Sequence, residues 1–346
     1  MEKTIKICLM GFGNVSQAFV HLVNRKEKEL MEEYGVKFIF TAIATGHHGN
    51  AINPQGLDAQ KAIELHHKDG SIEKLSSEKV PNHFEDLIKK SGANFLLENS
   101  PVNYMTGEPA VSHIRVALSN GIHAVSANKG PVVHAYRELT DLAEKNGVRF
   151  LFESAVMDGA PIFSVFREAL PAVQINGFEG ILNSCTNMLL ERMEDGENFD
   201  DAVAYAQSIG IAETDPSGDI DGWDAAIKVA AIATVLMDVP LKPQDVKREG
   251  IRGLSQTEIQ QAQRENMRWK LVCRAERKDG QIVASVQPEQ VPSKSPLYSV
   301  NGTSSFVVFH TDVLPGLGIL ESNPGPDTTA YGLLADILNI LKTGKK

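Results

Sequence analysis

Short apolar runs alternate with helix-spaced apolar positions over the first 150 residues. Ile5 to Met10 has strand length, and Gly11-Phe-Gly-Asn-Val-Ser16 ends it. Ala18, Phe19, Leu22, Val23, Leu30 and Met31 then fall at helical spacing. Lys37 to Ala44 and Asn94 to Glu98 read as further strands, Ile114 to Ser119 continues a helix, and Gly121 to Ala127 is a strand. A helix over Tyr136 to Asn146 and a strand over Val148 to Glu153 close the series. Residues 50–92 are polar helix or loop, with His66 and His67 expected on the surface. This alternation predicts an α/β, doubly wound nucleotide-binding domain over residues 1–150.

The rhythm then changes. Strand-like runs at 173–182, 269–276, 281–286 and 304–310 enclose helical patterns at 199–208, 224–237 and 257–265, which predicts an α+β domain over 151–327. The helix 330–341 has an apolar face (Leu333, Leu334, Ile337, Ile340, Leu341), so residues 328–346 are expected to return to the first domain.

One stretch departs from these patterns. Glu213, Asp215, Asp219, Asp221 and Asp224 crowd a loop broken by Pro216, Gly218 and Gly222. An Ala- and Ile-rich helix follows, apolar on every side except for Lys228. A buried ammonium needs a partner, and Asp224, four residues earlier, shares its helical face. A structural ion pair and a catalytic lysine both fit. A calcium loop does not, because a lysine stands where the bidentate glutamate belongs. The surplus of acids suits a substrate bearing an ammonium group.

Composition narrows the choice. The 346 residues allow two domains, and the net charge of -10 with no basic cluster argues against nucleic-acid binding. Three scattered cysteines suggest neither a disulfide framework nor a metal knuckle and fit a reducing cytoplasm. No signal peptide or membrane-length apolar run is visible.

The strand, glycine turn and helix at the N-terminus give the candidate cofactor site. Gly11 permits the turn, Gly13 lets a pyrophosphate approach, and the helix start supplies amides. Phe12, Asn14 and Val15 complete the turn, and Ser100 and Pro101 follow the strand at 94–98. The second strand ends in Thr45-Gly46-His47-His48, with neither an acid for a ribose hydroxyl nor an arginine for a 2′-phosphate. His47 and His48 are candidate phosphate contacts or solvated loop residues, so NAD and NADP both stay open. Lys129, after the strand at 121–127, stands at a carboxyl end where such sheets place ligands.

Together these segments resemble the homoserine dehydrogenases. The resemblance rests on Gly11-Phe-Gly-Asn-Val, Ala127-Asn-Lys-Gly-Pro131, Glu153-Ser-Ala-Val, Gly180-Ile-Leu-Asn183 and Ala212-Glu-Thr-Asp-Pro through Lys228. It implies a nicotinamide-dependent interconversion of L-homoserine and L-aspartate 4-semialdehyde, by a short form without a C-terminal regulatory domain. It implies Lys228 and Lys129 as proton-transfer candidates, with Asp224 beside them, and Glu213, Asp219, Asn183, Ser184 and Cys185 around the substrate. It further implies a monovalent-cation site, for Na+ or K+, at Glu153, Val156, Asp158 and Ala160, and a homodimer. Ser184-Cys185 replaces the family's usual glycine and threonine, and Cys185 reads as a changed substrate contact, a reactive thiol or a packing residue. A relative acting on another amino or hydroxy acid, and a non-catalytic NAD(P)-binding sensor, are the alternatives.

Overall fold

The first strand, β1 (Lys3–Met10), is buried over its last four residues, as a strand covered on both faces should be. The computed structural model describes residues 2–68 and 70–343. They fall in two compact units, Met1–Pro161 with Gly325–Lys346, and Ile162–Pro324.

In the first unit β1 is joined by β2 (Val36–Ala44), β3 (Asn50–Ile52), β4 (Phe95–Glu98), β5 (His123–Ser126) and β6 (Phe150–Leu151). The order is β3-β2-β1-β4-β5-β6. All pairs are parallel except β2 with β3. Order reverses between β1 and β4, and the crevice beyond their carboxyl ends is where an open α/β sheet binds ligands. The helix Pro326–Thr343 contributes Leu333, Leu334, Ile337 and Ile340 to the core that holds Phe19 and Val23 of the helix Asn14–Arg25.

The second unit holds β7 (Ile175–Ile181), β8 (Lys247–Arg248), β9 (Met267–Lys278), β10 (Gln281–Pro292), β11 (Ser305–Thr311) and β12 (Leu317–Glu321). Their order is β12-β11-β7-β9-β10-β8. Asp279 and Gly280, both at positive φ, turn β9 into β10, the chemistry a two-residue hairpin demands. The all-round apolar helix Trp223–Leu236 buries nine residues from Ala225 to Thr234.

Several elements differ from expectation. β3 lies in the stretch expected to be helix or loop, and β6 is two residues long because a 3-10 turn takes over at Glu153–Ala155. The first helix breaks at Lys26, and a π-turn ends the segment at Gly35. A helix stands at Ser184–Glu194 where no element is expected. A short helix at Ser217–Ile220 orders half of the acidic loop. Lys129 opens a helix, Lys129–His134, rather than sitting in an open turn.

Candidate active site

The glycine turn of the first unit is built for close approach. Gly11 has φ +88°, and a Cβ there would lie 2.6 Å from the Asn99 carbonyl carbon, so any side chain would push the β4 loop away. Gly13 faces open space. The helix Asn14–Arg25 begins with no side-chain cap and no acid in its first turn, which leaves its amides for an anion. Asn99 donates from Nδ2 to Ser16 Oγ at 2.9 Å, and Ser16 Oγ donates to the Gly11 carbonyl at 2.7 Å. Asn99 Oδ1 is buried and unpartnered among the described residues. An open cradle, uncapped amides and an unused acceptor fit a dinucleotide.

At the end of β2, Thr45 Oγ1 donates to the Gly49 carbonyl at 2.8 Å and accepts from His48 N at 2.8 Å. His47 is exposed and His48 half-buried. The surface expectation for His66 fails. Its ring is half-buried, 4.3 Å from the His48 ring and 6.0 Å from Phe12. Gln17 lies 3.3 Å from His66 Nδ1 and 2.8 Å from His67 Nε2, although His67 remains exposed. The helix Ala59–His67 brings these rings to the glycine turn, and nothing in the local polarity of 50–92 signals that return.

Ser100 and Pro101 form the facing wall. Their carbonyls accept Asn128 Nδ2 at 2.9 and 3.4 Å. Asn128 Oδ1 takes the Gly130 amide at 2.8 Å and caps the helix that Lys129 opens. Lys129 itself is half-buried.

The second unit gathers a separate polar cluster. Asn183 ends the β7 connection and caps the helix Ser184–Glu194 by accepting the Thr186 amide at 2.8 Å. Its Nδ2 donates to Asp219 Oδ1 at 2.7 Å and to Asp224 Oδ2 at 3.0 Å. Asp224 Oδ2 also lies 3.2 Å from Lys228 Nζ, and both side chains are only 13% and 12% exposed. Lys228 Nζ donates to the Leu182 carbonyl at 2.7 Å. The predicted i,i+4 pair therefore exists, and Asn183 joins it to a second acid, Asp219. Cys185 is buried against Asp219 and Asp224; burial first, and then those charges, push its thiol up. That environment disfavours the thiolate and so a reactive thiol. Ser184 Oγ is 3.4 Å from Ser305 Oγ.

Family models match both units. The model described as homoserine dehydrogenase matches residues 161–338, and the homoserine dehydrogenase NAD binding domain matches 11–153. An NAD(+)-dependent homoserine dehydrogenase of Pseudomonas canavaninivorans is 37% identical over 97% of this chain and 96% of its own.

The chain belongs to the homoserine dehydrogenase family.

The homoserine dehydrogenase of Methanocaldococcus jannaschii is 36% identical over 98% of this chain and 99% of its own. A hyperthermophilic archaeal homoserine dehydrogenase solved in complex with NADPH superimposes with a TM-score of 0.82. It is 30% identical, and the match covers 99% of this chain and 98% of that one. Membership makes the chain an NAD(P)-dependent oxidoreductase that interconverts L-homoserine and L-aspartate 4-semialdehyde, not a non-catalytic sensor. No helix among the described residues is long and apolar enough to cross a membrane.

Other expected homoserine dehydrogenase positions are less gathered. Glu213 is exposed, and no hydrogen bond or ion pair among the described residues ties its carboxylate to Asn183. In the first unit Glu153 is buried, and its amide donates to Asp336 Oδ2 at 2.7 Å. Asp158, at φ 44°, accepts Thr329 Oγ1 at 2.5 Å, and Ala160 N donates to the Met157 carbonyl at 2.8 Å. Val156 is buried beside them in sequence. Arg248 and Arg252 were not expected at the acidic loop. Arg248 lies 3.7 Å over the Trp223 ring and donates to the Asp221 carbonyl, and Arg252 pairs with Asp221 at 2.5 Å.

Proposed function

We propose that Asn183, Asp219, Asp224 and Lys228 hold L-homoserine and that Lys228 carries the proton of its hydroxyl group. The observation behind this reading is the amine of Lys228, set between the Leu182 carbonyl and Asp224 with Asn183 bridging both aspartates. Two carboxylates answer the substrate ammonium. The Lys228 amine donates a proton to the new hydroxyl when the aldehyde is reduced, and takes up the hydroxyl proton when the alcohol is oxidised. The bound nicotinamide supplies or accepts the hydride. Lys129, fixed by the Asn128 cap, is the second proton carrier. Glu213 meets the substrate from its exposed loop, and Ser184 and Cys185 line the pocket.

The cofactor lies on Gly11, Phe12, Gly13, Asn14 and Val15, with Thr45, His47, His48, Ser100 and Pro101 around it. A relative is named for NAD+ and another was solved with NADPH, so the assay that tests the reading uses both. Nicotinamide reduction at 340 nm with L-homoserine is the expected signal. Its loss in Asp219→Asn protein that still binds either cofactor is the result expected, and undiminished turnover there sinks this assignment of the site.

Glu153 and the backbone near Val156, Asp158 and Ala160 are proposed to bind Na+ or K+. The same assay without either ion then slows; an unchanged rate removes the site. The chain is further proposed to act as a cytoplasmic homodimer, in keeping with three buried free cysteines and the commonness of closed dimers. Sedimentation equilibrium should give about twice 37.7 kDa, and a monomer refutes the dimer. Recovery of the chain in the membrane or secreted fraction of the producing cell refutes the location.

A further inference from the structure

We propose that Glu98 and His113 are positioning residues for this reaction, setting both the loop Asn99–Pro101 and the start of the Lys129 helix. Glu98 is the last residue of β4 and is fully buried. A carboxylate in such a place must be met by donors. Its Oε2 accepts His113 Nδ1 at 2.6 Å. Its Oε1 accepts the Ser100 amide at 2.9 Å and the Ser100 hydroxyl. The His113 ring is in turn held edge-on by Phe84, 4.6 Å between centroids.

Two functional elements hang on this carboxylate. On one side the Asn99–Ser100 backbone lies against Gly11, too close for a Cβ. On the other, the Ser100 and Pro101 carbonyls take Asn128 Nδ2, and Asn128 Oδ1 caps the helix that Lys129 opens. The Glu98 backbone carbonyl also accepts the Ala127 amide at 3.1 Å and Ser126 Oγ at 3.3 Å. A displacement at Glu98 therefore moves the crevice wall and the Lys129 helix together. Packing alone would need no carboxylate here; an apolar pair fills such a space at lower desolvation cost. The charge is spent on the loop backbone, where direction matters.

The inference rests on reading Lys129 as a proton carrier, and the variants separate the two. His113→Leu should cut kcat at least tenfold and weaken NADPH binding at least fivefold by fluorescence titration, leaving the KM for homoserine within twofold. His113→Asn puts an amide donor in place of Nδ1 and should recover kcat to within threefold of the parent. If His113→Leu does not fold, Glu98→Asp, one methylene too short to reach both Ser100 and His113, should show the same paired loss in folded protein. Normal kcat and NADPH affinity in either folded variant overturns the proposal, as does equal loss in His113→Asn and His113→Leu. Lys129→Ala should lower kcat without loosening NADPH. Full activity in that variant sinks the proton role of Lys129, while the NADPH readout still decides the role of Glu98.

Discussion

Lys228 is the residue on which most of the chemistry turns, and its surroundings say what its loss should do. Its amine donates to the Leu182 carbonyl and pairs with Asp224, whereas the glycine turn that meets the cofactor is built from Gly11, Ser16 and Asn99. General acid–base groups contribute about 10²–10⁴ in rate. Lys228→Ala should lower kcat by about that factor while NADPH titration gives the parent affinity. A variant with normal turnover would falsify the proton role. Lys228→Arg should not rescue it, because guanidinium does not give up its proton near neutral pH.

Elements show where sequence was legible and where it was not. β1, its glycine turn and the helix after it could be read because each is a local pattern, and so could the helix carrying Lys228. The hairpin of β9 and β10 is twelve residues on each side, longer than its apolar runs. Gln287-Pro288-Glu289 reads as a polar break, yet Pro288 pairs opposite Leu271. Among the described residues β8 pairs with β10 only at Ser285 and Val286, so Pro288 lies beyond that pairing, where a missing amide costs little. His66 and the Glu98–His113 pair were invisible for another reason: their partners are 49 and 15 residues away, and no period encodes that. The chain's last helix shows how tight such returns can be. A Cβ on Gly332 would lie 2.3 Å from Ser154 Oγ and 2.9 Å from the Asp158 carbonyl. Gly332→Ala must displace the helix or rotate Ser154 off the Thr329 carbonyl it donates to, at a cost of about 1–3 kcal/mol. Urea unfolding checks this, and Ser154→Gly in the same chain should return part of the loss by opening the space. No loss in Gly332→Ala would show that the contact relaxes freely.

At the scale of the whole molecule, charge burial links stability to pH. Lys270 is fully buried, with Nζ donating to Asn187 Oδ1 at 2.8 Å and the Val300 carbonyl at 2.6 Å. Burial, and then the nearby Arg268, pull its amine down from 10.5 to about 8, while Glu194 and Glu191 pull it back up. Below pH 8 the folded and unfolded chains both hold the proton, and the folded state bears the full cost. From about 8 to 10.5 the folded chain releases it first. The unfolded chain then binds more protons, so stability rises with pH across that window. Above it both are neutral and the gain is complete. The shift corresponds to a gain on the order of 3 kcal/mol, with other titrations superimposed. Lys270→Met should remove that rise; at pH 7 the relieved desolvation cost is offset by the buried Asn187 Oδ1 left without its donor. Denaturant unfolding of parent and variant from pH 7 to 10.5 compares the slopes directly. Parallel curves would mean that Lys270 stays protonated in the fold, held by the two carboxylates, and that its burial carries no pH-dependent cost.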